Sequence, residues 1–115
     1  MTTGPATESA WRLRADLSAA KVLIWAASVG RDAALTPETH LYLADRYDRL
    51  SHIYRVRGRH AKARRFWLLA AEHYRAGGWN GPPFAAAMAM PRPSRWVMVD
   101  AVGRAGAKIT SDDVA

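Results

Sequence analysis

Cysteine is absent from the 115-residue chain. That excludes a disulfide framework, thiolate catalysis and any metal site built on sulfur. Acidic residues are scarce, 10 against 17 basic ones, and the net charge is +7. Arginine supplies 14 of the 17. The imbalance points to an acidic partner, whether a nucleic acid, an anionic membrane surface or an acidic protein face, without choosing among them. Long apolar runs are missing too. The longest near the N-terminus, Val22 to Ala27, falls far short of the roughly 20 residues a membrane-spanning helix needs. Met1 to Ser9 contains no Lys or Arg, so it does not read as the charged start of a secretory signal. No glycine-rich phosphate loop is present. Gly103-Arg104-Ala105-Gly106 lacks the glycine pattern, the lysine and the preceding strand such a loop requires.

What is present is helix, and a chain of this length is one domain at most. Tyr47, Leu50 and Tyr54 recur at three- and four-residue spacing, which is one face of an α-helix. Beyond Gly58, Phe66, Leu69, Ala70 and His73 do the same, with Trp67, Ala71 and Tyr74 one position over. Two amphipathic helices so closely linked must fold back on each other. The chain predicts a disordered segment over 1–9, a helical domain over 10–78 and a C-terminal arm over 79–115. The fold class is all-α, with three main helices around the central αα-hairpin.

Ala10 to Val29 has the composition of a first helix. Leu13, Leu17, Ala20, Ile24 and Ala27 form its apolar face, widened by Val22, Trp25 and Val29. Packing on the hairpin is the expected fate of this helix; interfacial membrane binding, with Trp11 and Trp25 at the lipid boundary, is the rival. Gly30 offers a C-cap. Thr36-Pro37-Glu38 is a helix start, with an N-cap hydroxyl, a proline at the first position and an acid in the first turn. The second helix should run from Pro37 to about Arg57, and the third from about His60 to Ala76, stopped by Gly77-Gly78. Trp79 to Pro83 reads as a turn, and Phe84 to Met90 as two helical turns ended by Pro91 and Pro93. Trp79, Phe84, Met88, Met90 and Trp96 are the expected anchors of an arm lying over the hairpin. Thr110 to Ala115 should fray.

The hairpin resembles a tetratricopeptide (TPR) repeat over residues 47–70. The residues that carry the resemblance are Tyr47, Leu50, Ser51, Tyr54, Gly58, Ala63, Trp67 and Ala70. Tyr47 stands where the family usually has Trp, Ser51 where it has Gly or Ala, and the closing Pro is absent. The resemblance implies protein binding in a groove between helices. No second copy of the repeat is visible, so the first helix and the C-terminal arm, or a second chain, must cover the hairpin. Packing is the role expected for the motif residues, with Leu50, Tyr54, Trp67 and Ala70 in the core; if fully buried, Trp67→Ala should cost about 3 to 5 kcal/mol.

Chemistry is hard to find. His40 and His52 lie about 18 Å apart along one helix, at 1.5 Å per residue, and cannot share an ion. His52 and His60 flank the turn with no carboxylate placed beside them, and His73 follows Glu72 without facing it. The four histidines read as surface or rim residues. Asp45 and Asp48 have Arg46 and Arg49 as neighbours, which should hold both carboxylates ionised on a solvated face. No cofactor, metal or catalytic constellation is expected.

One feature rises above background. Arg46, Arg49, Arg55, Arg57, Arg59, Lys62, Arg64 and Arg65 crowd one stretch, and the last six surround the hairpin turn. Like charges at one end repel, and a partner relieves the cost. No helix presents Asn or Gln for reading base edges, and no strand carries stacking aromatics. The leading expectation is a non-catalytic protein–protein interaction module, an adaptor or accessory subunit of a larger assembly in the cytoplasm or peripheral to a membrane complex. Its docking residues are Arg55, Arg57, Arg59, Lys62, Arg64, Arg65, Trp79, Phe84 and Trp96, and its partner has an acidic surface. The alternatives are a basic nucleic-acid-binding protein and a peripheral membrane subunit. Self-association is open.

Overall fold

A computed structural model describes residues 9–28, 35–90 and 92–93. The expectations placed on 1–8, on Val29, on Gly30, on the arm from 94 to 115 with Trp96, and on the frayed end lie outside the described residues. Among these, the chain is all-helical: α1 (Ala10–Ser28), α2 (Pro37–Val56), α3 (His60–Ala76) and α4 (Pro83–Ala89).

Local chemistry sets the ends. Thr36 is extended and its Oγ1 accepts the Thr39 backbone N–H at 3.2 Å, with Pro37 and Glu38 in the first turn of α2. Gly58 takes φ 79° and Gly78 φ 101°, a conformation that costs a glycine nothing and other residues dearly. The reversed chain is then locked by backbone bonds, Arg59 N–H to Tyr54 C=O at 2.9 Å after α2 and Trp79 N–H to Tyr74 C=O at 2.8 Å after α3. Helix α4 begins at Pro83, one residue earlier than expected. It ends where Met90 turns extended (φ −114°, ψ 150°), the backbone a residue before proline prefers.

Helices α2 and α3 run antiparallel. His40 meets His73, Tyr47 stacks between Phe66 and His73, and Tyr54 stacks on Phe66. Ascending numbers in α2 thus meet descending numbers in α3. Helix α1 packs on α2, and α4 packs on both α2 and α3. The core holds Leu13, Leu17 and Ala20 of α1, Tyr42, Tyr47, Leu50 and Ile53 of α2, Ala70 and Tyr74 of α3, and Ala86 of α4.

Because α2 has neighbours on several sides, its polar residues go inside with the apolar ones. Asp45, Arg46, Asp48 and Arg49 are all buried, where local pairing rules placed them on a solvated face. Helix α1 differs in the other direction. Val22 and Trp25, expected to widen its buried stripe, are 63% and 68% exposed, because α2 covers only the face bearing Leu13, Leu17 and Ala20. The side chain of Ala27 lies outside the described residues. Trp67 is the third correction. It is 43% exposed, since among the described residues no further helix covers that side of α3. Trp67→Ala should therefore cost about 1–2 kcal/mol in a denaturant titration, well below the loss for a fully buried aromatic. A loss above about 3 kcal/mol would show the indole to be a core residue after all.

Candidate partner-binding surface

The interior of the fold gathers charge around Asp45. Its Oδ2 accepts Arg46 Nη1 at 2.7 Å and Arg92 Nε at 3.2 Å, while Oδ1 accepts Arg49 Nε at 3.0 Å. Arg46 also donates to the Pro93 carbonyl, faces Asp16 of α1 at 3.7 Å and lies 4.0 Å from the centre of the Tyr42 ring. One carboxylate thereby ties α2 to the segment after α4, and its arginine reaches α1. Arg46 and Arg49 are engaged in this network, apart from the six basic residues around the turn that the sequence assigned to a partner.

Asp48 lies one turn along and behaves differently. Burial pushes its pKa up to about 6, despite the Tyr74 hydroxyl that donates to it at 3.1 Å, and Asp45 adds to the rise. The arginine neighbours do not hold it ionised as expected, because desolvation outweighs them. The same carboxylate, with burial, pushes the Tyr74 phenol up. An unfolded aspartate titrates near 3.8. Between that value and 6 the folded chain keeps a proton the unfolded chain has released. This carboxyl therefore favours folding fully below 3.8 and loses that contribution as pH rises through 6. Asp48→Asn keeps an acceptor for Tyr74 and removes the buried charge. It should stabilise the fold by about 1–2 kcal/mol near pH 7.5 and by nothing near pH 4. Thermal unfolding at both pH values checks this, and an equal shift at both would contradict it.

His40 and His73, read from sequence as rim residues, meet with Nδ1 atoms 3.0 Å apart. One nitrogen must donate and the other accept, so the contact needs at least one neutral ring. Burial pushes both pKa values down, and for His73 the neighbouring His40 adds to the fall, while Glu72 opposes it in each. Their contribution to folding is present in full above the ordinary value of 6.5 and fades as pH falls below it.

The outer surface carries the remaining bases. Arg55, Arg57, Arg59, Arg64 and Arg65 are exposed and Lys62 is half-buried. Lys62 Nζ sits 4.7 Å and Arg59 Cζ 6.0 Å from the centre of the Tyr54 ring, which draws both toward the turn. A separate groove of about 500 Å³ opens between α2 and α3, and neither Lys62 nor Arg59 lines it. Arg55, His60 and Arg64 provide its polar wall, Trp67 and Leu68 its apolar wall, and Ser51 and Ala63 its buried floor. Arg55 is oriented from behind, with Nη2 at 2.9 Å from His52 Nδ1 and His52 stacked on Phe84 at 5.4 Å. Burial, then the Arg55 charge, pushes the His52 pKa down, which suits that nitrogen to accept.

Of the expected docking set, Arg55 and Arg64 line the groove, and Phe84 lies behind Arg55, stacked on His52. Trp79 is half-buried against the core, with Nε1 donating to the Pro82 carbonyl at 3.0 Å. It is a structural anchor, as is Met90, whereas Met88, expected as another, is 75% exposed. Ser51, His60 and Leu68 are groove residues the sequence reading passed over. Their signal was there: His60, Arg64, Trp67 and Leu68 share one face of α3, and Ser51 and Arg55 are four apart on α2. Among the described residues no three His, Asp or Glu side chains gather to hold a metal, and no helix is long and apolar enough to cross a membrane. Comparison with protein-family models, curated proteins and solved structures finds no match.

Proposed function

We propose that this chain is a non-catalytic protein-interaction module, an adaptor or accessory subunit of a cytoplasmic or membrane-peripheral assembly, that docks an acidic protein surface on the hairpin end. The observation that carries this reading is that the exposed Arg55 and Arg64 line the same groove as Trp67 and Leu68, at the basic end of the hairpin. A protein interface combines apolar anchors with a polar rim in this way. Arginine, with its planar two-pronged head, is the base suited to pairing with carboxylates. The reading treats residues 47–70 as one TPR-like unit. Burial of Tyr47, Leu50, Ser51, Tyr54, Ala63 and Ala70, with Trp67 43% exposed, fits any packed helical hairpin, so the TPR likeness rests on the sequence motif.

The test is binding across a salt series, to the partner recovered by co-purification from the native source and to non-specific duplex and single-stranded nucleic acid. Charge reversal of Arg57 and Arg64 together should weaken the protein complex by about tenfold or more, the equivalent of about 1.4 kcal/mol. Nucleic-acid binding should be feeble near physiological salt. Tight nucleic-acid binding with a steep salt slope, and no stable protein complex, would overturn the proposal.

A further inference from the structure

The geometry points to a specific ligand class for the groove between α2 and α3: an acidic peptide segment that inserts one large apolar side chain against Trp67 and Leu68 while its carboxylates pair with Arg55 and Arg64. This rests on the reading of the basic end as a protein-binding surface and adds to it what the bound segment must look like.

Four observations converge. The lining contains Arg55, Arg64 and His60 but no acidic side chain, so the groove is electrostatically one-sided. Helix α3 compounds this. Its first turn has no acid, its N-cap Arg59 makes no side-chain cap bond, and Lys62, Arg64 and Arg65 sit in its N-terminal half. The N-terminal end of a helix already carries partial positive charge, so these bases stand where anions would normally stand, and a bound carboxylate reverses the conflict. Next, Trp67 and Leu68, on the same face of α3 as His60 and Arg64, are 43% and 50% exposed beside Ser51 and Ala63, which are 7% and 5% exposed. The small residues leave room between the helices, and the half-exposed Trp67 and Leu68 offer apolar surface that a bound side chain would cover. Lastly, the volume of about 500 Å³ lies within the range of sites that take a compact ligand or a few side chains. A single strand bound by stacking wants several successive aromatic platforms, and this lining offers one aromatic, Trp67, beside an aliphatic Leu68.

The arginine side is set before binding. The Arg55 head is held by His52, itself stacked under Phe84, and a preorganised base loses less freedom when it pairs. Phe84 therefore acts on the ligand through His52 and Arg55, as a positioning residue.

The experiment uses the full chain and fluorescence anisotropy. The probe is a short labelled peptide of glutamates around one central phenylalanine. One control peptide replaces the phenylalanine with serine, and another replaces every glutamate with glutamine. The phenylalanine peptide should bind at least about tenfold more tightly than the serine control, the gain from burying one large apolar side chain. It should also exceed the glutamine control by a margin that shrinks with salt. Trp67→Ala should erase the advantage of phenylalanine over serine. Arg64→Glu should weaken both acidic peptides. Circular dichroism on each variant separates these effects from unfolding. Equal affinity for the phenylalanine and serine peptides would overturn the inference while leaving a basic docking end in place. Equal affinity for the glutamate and glutamine peptides would overturn it as well. Failure of both acidic peptides, with tight binding of a labelled single-stranded oligonucleotide, would remove the inference and the protein-binding reading together.

Discussion

Replacing Asp45 with alanine should destabilise the fold by about 3–5 kcal/mol, the cost of breaking a buried charge network from one side. Asp45 is 2% exposed and is the carboxylate shared by Arg46, Arg49 and Arg92. Its removal leaves Arg46 with the Pro93 carbonyl, with Asp16 at 3.7 Å and with a buried Nε that has no hydrogen-bond partner among the described residues. It also takes from Arg49 the carboxylate four residues before it. A desolvated guanidinium does not shed its proton to escape the penalty, because its pKa lies too high. Set against a typical total stability of about 5–15 kcal/mol, the loss brings the chain close to unfolding at ambient temperature. The reading is the midpoint of urea unfolding, with Arg92→Ala as the internal contrast. The Arg92 side chain is 37% exposed, so its pair with Asp45 is partly screened by solvent and its removal should cost about 1 kcal/mol or less. A midpoint for Asp45→Ala as mild as that of Arg92→Ala would mean that the network contributes little.

The second large effect is expected at Leu50. It is fully buried at the middle of α2, with Tyr47 and Tyr54 on the same face. Leu50→Ala removes apolar contacts and leaves a cavity that the surrounding rings fill only in part, at about 2–5 kcal/mol. The comparison with Trp67→Ala is informative because the ranking by size is inverted. The larger side chain should cost less, since almost half of it is already in water. Urea titration of both variants tests the order, and a greater loss at Trp67 would place the core on the other side of α3.

Much of the secondary structure was legible in the sequence because its determinants are local. Thr36, Pro37 and Glu38 mark a helix start through groups within one turn of one another. Gly58 and Gly78 mark helix ends through a backbone conformation that other residues resist. The spacing of Tyr47, Leu50 and Tyr54 orients one face of α2, and the same positions prove buried. The crowding of arginines at the turn was equally visible, since residues 55–65 are neighbours in any hairpin.

Which polar residues went inside was decided only by the tertiary structure. A pattern along one helix identifies its most apolar side but does not say how many neighbours the helix will have. With α1, α3 and α4 all packed on α2, Asp45, Arg46, Asp48 and Arg49 had to be desolvated. Three of them then found partners in distant parts of the chain: Arg92 for Asp45, Asp16 for Arg46 and Tyr74 for Asp48. The contact between His40 and His73 and the upward shift of the Asp48 pKa arise in the same way. The opposite holds for Trp67. The sequence by itself determined that it shares a face of α3 with His60 and Arg64, while only the packing determined that this face stays open and forms a groove wall with Leu68. Periodicity is a property of one helix, and burial is a property of what surrounds it.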